Sequence, residues 1–366
     1  MNKLLIFTIS LLICQQAAGM DIWQAAKEGN LPRVQELLNA DPTLVNAQNW
    51  SKTPPLHYAA KYGRTYIATI LLDRGAYVNY QTNEGQETAL HEAAFFGHAN
   101  VATILLDRGA LVNGQTTFSS CTPLHQATTR NHVSGVKILL QYNANVNAQD
   151  RDNKTPLHDA AKHGRTYIAT FLLSSGANVH AQANGGSTPL HMAAENGHLD
   201  FTTMLLDRGA LVNAEDMQLR TPLHLATDNG HLNVATILLH HKAHVNVQDR
   251  QLRTPLHKAA YHGHAHLVKL LLDHHADIDA QDGNQQTPLH HAAESNNANV
   301  DTVRILLDHK ANIKAKNKWQ NTPLDLAYKA VFRDCWQHAP SEKTWRHKTI
   351  VQLLEDWSKR DRTGKI

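Results

Sequence analysis

TPLHKAAYHGHAHLVKLLLDHHADIDAQ, running from Thr254 to Gln281, is one copy of a pattern that recurs on both sides about every 33 residues. Thr254 supplies a hydroxyl that can cap a helix N-terminus, and Pro255 follows where a missing N–H costs nothing and a fixed φ suits the first turn. Leu256, Ala259 and Ala260 give that helix a thin apolar face, and Gly263 can take the left-handed conformation that ends it. Leu267, Val268, Leu270, Leu271 and Leu272 then predict a second, more apolar helix. Ala276 and Ile278 lead into a polar turn carrying Asp279, Gln281 and Asp282. The unit is therefore helix, turn, helix, extended turn.

One such unit cannot bury its own apolar face, so it needs a copy on either side, which predicts a solenoid held by nearest-neighbour interfaces. The Thr-Pro-Leu-His signature stands at Thr122 to His125, Thr155 to His158, Thr188 to His191, Thr221 to His224, Thr254 to His257 and Thr287 to His290. Degenerate copies read Pro54-Pro55-Leu56-His57, Thr88-Ala89-Leu90-His91 and Thr322-Pro323-Leu324-Asp325. In period and signature the chain resembles the ankyrin-repeat family. The implied fold class is all-α, a solenoid of about ten helix-turn-helix units with extended β-turn tips and a concave binding face.

At 366 residues a chain would ordinarily hold two or three globular domains, but a solenoid grows lengthwise without a larger core, so one elongated domain is expected. Lys plus Arg number 35 against 32 for Asp plus Glu, a balance that gives no electrostatic case for nucleic acid or a membrane surface. Met1 to Gly19 differs from the rest: Lys3, the apolar run Leu4 to Ile13 and the small residues Ala17-Ala18-Gly19 read as a cleaved signal peptide, making the mature protein secreted or periplasmic. Nothing long and apolar follows it, so no membrane span is expected. Residues 20–49 read as an N-terminal capping repeat built on Trp23, Ala25, Ala26, Leu37, Leu38 and Val45, residues 50–316 as the repeats, and 317–358 as a C-terminal cap. Cys121 and Cys335 fall in distant repeats and predict no disulfide.

Insertions occur before His91, in the Thr116 to Ser120 turn and within Ser295 to Asp301, where loops are expected. The turn after the second helix carries Gly75, Gly109, Gly176 and Gly209, but later copies place Lys242, His275 and Lys310 there. In the last unit Val351, Leu353 and Leu354 arrive late, after an insertion around Asp334 to Arg346 that reads as a loop, either flexible or partner-facing through Trp336 and Trp345. The tail of residues 359–366 reads as polar and disordered.

Twenty of the 26 histidines fall into three classes. His57, His91, His125, His158, His191, His224, His257 and His290 hold the signature position, where the resemblance implies backbone hydrogen bonding between units. His98, His132, His198, His231 and His264 follow the first-helix turn. His240, His241, His244, His262, His266, His274 and His275 remain as an excess that could bind a late transition metal or haem, or sense acid, yet no carboxylate or cysteine completes a fixed-spacing site, so neither metal nor cofactor is expected. His91-Glu92 lacks the second histidine of HExxH, and Asp150-Arg151-Asp152 fails as a calcium loop because Lys154 replaces an oxygen ligand. No Walker loop, dinucleotide turn or nucleophile elbow is present, so the reading is not an enzyme.

The resemblance implies partner contacts at turn tips and at the two residues before the first-helix glycine. On this chain those positions are Trp50, Lys61 and Tyr62, Phe95 and Phe96, Thr129 and Arg130, Lys162 and His163, Glu195 and Asn196, Asp228 and Asn229, and Tyr261 and His262. Two adjacent aromatics cannot both face a helix core, so one of Phe95 and Phe96 is expected in solvent or against a partner. Asn46, Asn79, Asn113, Asn147, Asn213 and Asn246 read as turn formers. Together these features predict an exported, non-catalytic, monomeric scaffold that binds a protein partner, resembling ankyrin proteins that host-associated bacteria export. The alternatives are a periplasmic scaffold for an endogenous enzyme and a histidine-cluster metal or haem carrier.

Overall fold

The computed structural model describes residues 22–82, 85–297, 299–337 and 342–362; the segment read as a signal peptide lies outside them. The chain divides into two compact units, Met1–Asn184 and Gly185–Ile366. Among the described residues there is no strand, and apart from short 3-10 turns every regular element belongs to a helix pair. The first unit holds α1 (22–28) with α2 (Leu31–Ala40), α3 (Pro55–Lys61) with α4 (Thr65–Asp73), α5 (Ala89–Phe96) with α6 (Ala99–Asp107), α7 (Pro123–Thr129) with α8 (Val133–Gln141), and α9 (Pro156–Lys162) with α10 (Thr166–Ser174). The second holds α11 (Pro189–Glu195) with α12 (Leu199–Asp207), α13 (Pro222–Asp228) with α14 (Leu232–His240), α15 (Pro255–Tyr261) with α16 (Ala265–Asp273), α17 (Pro288–Glu294) with α18 (Val300–Asp308), and α19 (Pro323–Gln337) with α20 (Glu342–Arg362). This is the all-α repeat solenoid that the periodicity predicts.

First helices of seven or eight residues are too short to persist alone and exist because each packs on the next: α3 on α5, α5 on α7 and α7 on α9 in the first unit, and α11 through α19 likewise in the second. Alanine pairs such as Ala59 and Ala60, or Ala93 and Ala94, are buried at those contacts, and Leu56, Leu90, Leu124 and Leu157 close the core beneath them. The extended turns also join along each unit, Thr117 N–H donating to the Gly85 carbonyl (3.1 Å), Arg151 to Ser119 (2.9 Å), Arg250 to Gln218 (2.9 Å) and Gly283 to Gln251 (2.9 Å).

The signature histidine links these levels. At His91, His125, His191, His224, His257 and His290, Nδ1 accepts the backbone N–H of the capping threonine at 3.1 to 3.2 Å. An amide can only donate, so Nδ1 is bare and Nε2 carries the hydrogen. Nε2 donates it forward to the next repeat's turn: His125 to the Lys154 carbonyl (3.0 Å), His224 to Arg253 (3.1 Å) and His257 to Gln286 (3.0 Å). The rings are buried, and burial holds His57, His91, His224 and His257 down to about 4 and depresses His125, His191 and His290 as well. His57 is the exception in bonding: Pro54 has neither N–H nor hydroxyl, and its Nδ1 has no partner although Nε2 still reaches the Glu87 carbonyl (3.0 Å).

A second set of histidines reaches backward. His98 Nε2 donates to the Lys61 carbonyl (3.0 Å), His132 to Phe95 (2.9 Å) and His231 to Glu195 (2.9 Å). Each ring lies so close to the preceding turn that a Cβ on Gly63, Gly97 or Gly197 would sit 2.4 to 2.6 Å from it, and those glycines also have φ between 67° and 80°. The recurrent asparagines do more than form turns. Asn79 Oδ1 accepts from Leu111 N–H (2.8 Å) while its Nδ2 donates to the Gly109 carbonyl (3.0 Å), and Asn46 and Asn147 bridge to their following repeats in the same way.

The C-terminal insertion departs from expectation. Rather than a loop, α19 runs on through Gln337 and α20 starts at Glu342, so the added residues lengthen two helices; His338 and Pro340 lie outside the described residues. A buried polar link fixes the pair: His347 Nδ1 meets Asp334 Oδ2 at 2.7 Å and Nε2 donates to the Ser295 carbonyl at 2.9 Å. α20 also continues past Lys359 to Arg362 where a disordered tail was expected.

Three outcomes follow from these contacts. Unfolded imidazoles take up protons from about pH 6.5, folded ones only near 4, so stability is complete above 6.5 and is lost as pH falls toward 4, on the order of 3 kcal/mol for each such ring. Glu92 and Asp159, pushed up to about 7 chiefly by burial, act in the opposite sense over the same range but are outnumbered. Thermal melts across pH 4 to 7 with a flat or rising midpoint on acidification would contradict this. Pro54→Thr restores the missing donors to His57 and should stabilise the first unit by about 1 kcal/mol in urea unfolding. Lys242, His275 and Lys310 have φ of 64° to 68°, a conformation costing roughly 1 to 2 kcal/mol outside Gly and Asn. Replacing each by Gly should slow hydrogen exchange around it, and protection in the native C-terminal third equal to that of residues 55 to 210 would refute the strain.

Candidate partner-binding surface

Because each first helix ends at the same point, its last residues and cap are presented in a row. In the first unit α3 ends at Lys61 with Tyr62 as cap, and α5 ends at Phe95 and Phe96 before the left-handed Gly97. Phe96 is the more exposed of the two, at 38%, while Phe95 is half-buried. Their rings meet edge to face at 4.9 Å. Cations alternate with the rings: Lys27 Nζ lies 5.6 Å over Tyr62, Lys61 Nζ 5.1 Å over Phe96, and the Arg130 guanidinium 4.0 Å over Phe95. Each exposed contact of this kind is worth about 0.5 to 1 kcal/mol, which biases the long side chains toward these rotamers. Trp50, at the tip of its turn, is 93% exposed. Thr129 hydrogen-bonds Asp159, and Lys162 and His163 are exposed at the end of α9.

In the second unit the corresponding positions behave differently. Glu195 is exposed, but Asn196 Nδ2 donates back to the Met192 carbonyl (2.8 Å) and Asn229 Nδ2 to Leu225 (2.9 Å), so these two side chains cap their own helices. Asp228 is engaged on both oxygens, by His262 Nε2 at 3.1 Å and Lys258 Nζ at 3.5 Å, and Tyr261 packs edge-on against His262 at 5.0 Å. Lys258, buried beneath the row, also faces Asp249 at 3.8 Å.

Lys258 belongs to a position the sequence reading passed over, the one directly after the signature histidine: Tyr58, Glu92, Gln126, Asp159 and Lys258 occupy it. Its variability within an otherwise constant Leu-His-x-Ala was the available signal. Glu92 is pushed up to about 7, first by burial and further by Glu87, with Lys61 opposing. Asp159 is likewise raised to about 7 by burial and by Asp150. Beside Glu92 a cleft of about 490 Å³ opens among Ser51, Tyr58, Lys61, Glu87 and Phe118.

The other candidate chemistries find no geometry. Among the described residues no three His, Cys, Asp or Glu side chains converge as a metal site. His240, His241, His244, His266 and His275 are exposed, and His274 Nδ1 donates to its own helix at the Leu270 carbonyl (2.9 Å). Asp150 Oδ1 accepts the N–H groups of Asp152 and Lys154, both at 2.8 Å, so that carboxylate closes its own turn. Cys121 and Cys335 are both free thiols, and burial pushes the Cys121 thiol up, away from reactive thiolate. No helix among the described residues is long and apolar enough to cross a membrane.

A family model described as "Ankyrin repeats (3 copies)" matches residues 22–116, 110–183, 175–249 and 246–317. The crystal structure of the human ASB11 ankyrin repeat domain superposes with a TM-score of 0.56 at 30% identity, covering 62% of this chain and 99% of that one. Among curated proteins the chain is similar to a transient receptor potential cation channel subfamily A member 1 homolog of Caenorhabditis elegans, 44% identical over 64 residues, 18% of this chain and 5% of that protein. It is also similar to the probable E3 ubiquitin-protein ligase XBOS32 of Oryza sativa, 34% identical over 71 residues, 19% of this chain and 14% of the relative. The chain thus spans a small fraction of the length of these two curated relatives. With matches that run almost without break from residue 22 to 317, the chain belongs to the ankyrin-repeat family.

Proposed function

We propose that this is a non-catalytic scaffold that binds a protein partner on the concave face lined by its first helices, as an exported monomer. The observation that carries the reading is the row of aromatic rings and cations at Tyr62, Phe95, Phe96 and Arg130, beside the nearly fully exposed Trp50. Aromatic and arginine side chains biased toward one arrangement by mutual contact lose less entropy on binding, and they are the residue types that anchor interfaces. Export is supported by the composition of Met1 to Gly19, and engagement of a foreign or host protein follows from export rather than from any residue of the surface.

Photo-crosslinking tests the surface directly. Benzoylphenylalanine at position 96 should form one discrete protein adduct in the native organism or its medium, whereas the same group at exposed Tyr66 on α4 should form none. Equal labelling from both positions would remove the surface assignment. N-terminal sequencing of the same material should begin near Met20; a start at Met1 would remove the export reading and leave the scaffold.

A further inference from the structure

The cleft beside Glu92 has a composition that selects its occupant. It is about 490 Å³ and lies between the turns and first helices of the first unit, with hydroxyls from Ser51, Thr53 and Ser119, and Phe118, 67% exposed, on one wall. Acceptors outnumber donors there. His57 forms part of the wall, with Nε2 already donating to the Glu87 carbonyl and Nδ1 buried. Glu87 also accepts from Gln126 Nε2, at 3.4 Å on one carboxylate oxygen. The positive charge acting on Glu92 is that of Lys61. Lys61, the cation on the wall, has its ammonium over the Phe96 ring.

We propose that this cleft receives the guanidinium of an arginine side chain presented by the partner protein. A guanidinium brings five N–H donors and no acceptor, which is the complement of a wall carrying the Glu87 and Glu92 carboxylates and the hydroxyls of Ser51, Thr53 and Ser119. Its planar fork matches a carboxylate bidentately, it stacks on aromatic faces such as Phe118, and it is more weakly hydrated than an ammonium, so it enters a half-buried site at lower cost than lysine. The proposal rests on the reading of the first unit as a protein-binding surface and adds which side chain it recognises.

The probe is N-acetyl-arginine methylamide, titrated into the full chain and followed by amide NMR shifts. Saturable shifts at Ser51, Gly85 and Ser119 are expected. Glu92→Gln should weaken the response at least tenfold while leaving the fold intact, and Lys61→Gln, which removes the competing cation, should strengthen it. The citrulline analogue, equal in shape but uncharged, should not saturate. No saturable shift, an unchanged response in Glu92→Gln, or equal binding of the citrulline or lysine analogue would overturn the assignment. Crosslinking at position 96 without probe binding overturns only this cleft, whereas probe binding without any crosslinked partner overturns only the parent reading.

Discussion

A neutral imidazole bonded at both nitrogens is the interaction on which the rest depends. In one direction it completes a helix cap, accepting the N–H of the threonine that starts its own first helix; in the other it donates to the turn of the following repeat. Helices this short have little stability of their own, so a side chain that satisfies the end of one repeat and the turn of the next couples two structures that neither could hold separately. The coupling requires the uncharged ring, because a proton on Nδ1 would face an amide hydrogen. Burial and this geometry act in the same direction, and the histidines are thereby unavailable as ligands or general bases.

The backward-reaching histidines and the bridging asparagines use the same logic on other faces. Glycine is required at Gly97 for two reasons that coincide, a positive φ and an imidazole lying where a Cβ would be. Where a repeat departs from the pattern, the consequence is local: Pro54 leaves one orphaned nitrogen, and at Lys242, His275 and Lys310 the left-handed turn is held by residues that carry a Cβ. A linear array tolerates such lapses because each affects only its neighbours. In the pair α19 and α20, the Asp334 to His347 to Ser295 link ties two lengthened helices to each other and to the preceding repeat.

What this scaffold can offer a partner is set by the same repetition. Positions that pack between repeats are constant, so chemical individuality is confined to the helix ends, the turn tips and the position after the signature histidine. In the first unit these carry rings and cations packed against each other beside a cleft with two carboxylates; in the second, Asp228, Lys258 and His262 engage one another.

The sequence by itself determined the repeat, the starts and stops of its regular helix pairs and the exposure of one of Phe95 and Phe96, because these are local or strictly periodic, while the structural duty of the signature histidines came with the family resemblance. Tertiary structure decided what depends on a neighbour about 30 residues away. It turned the asparagines into bridges between repeats, folded Asn196 and Asn229 back onto their own helices, and left His57 Nδ1 and Gln126 Oε1 unpaired. It also decided the insertion: a buried Asp334 and His347, thirteen residues apart, become partners only when α20 lies against α19, and nothing in their spacing announces it.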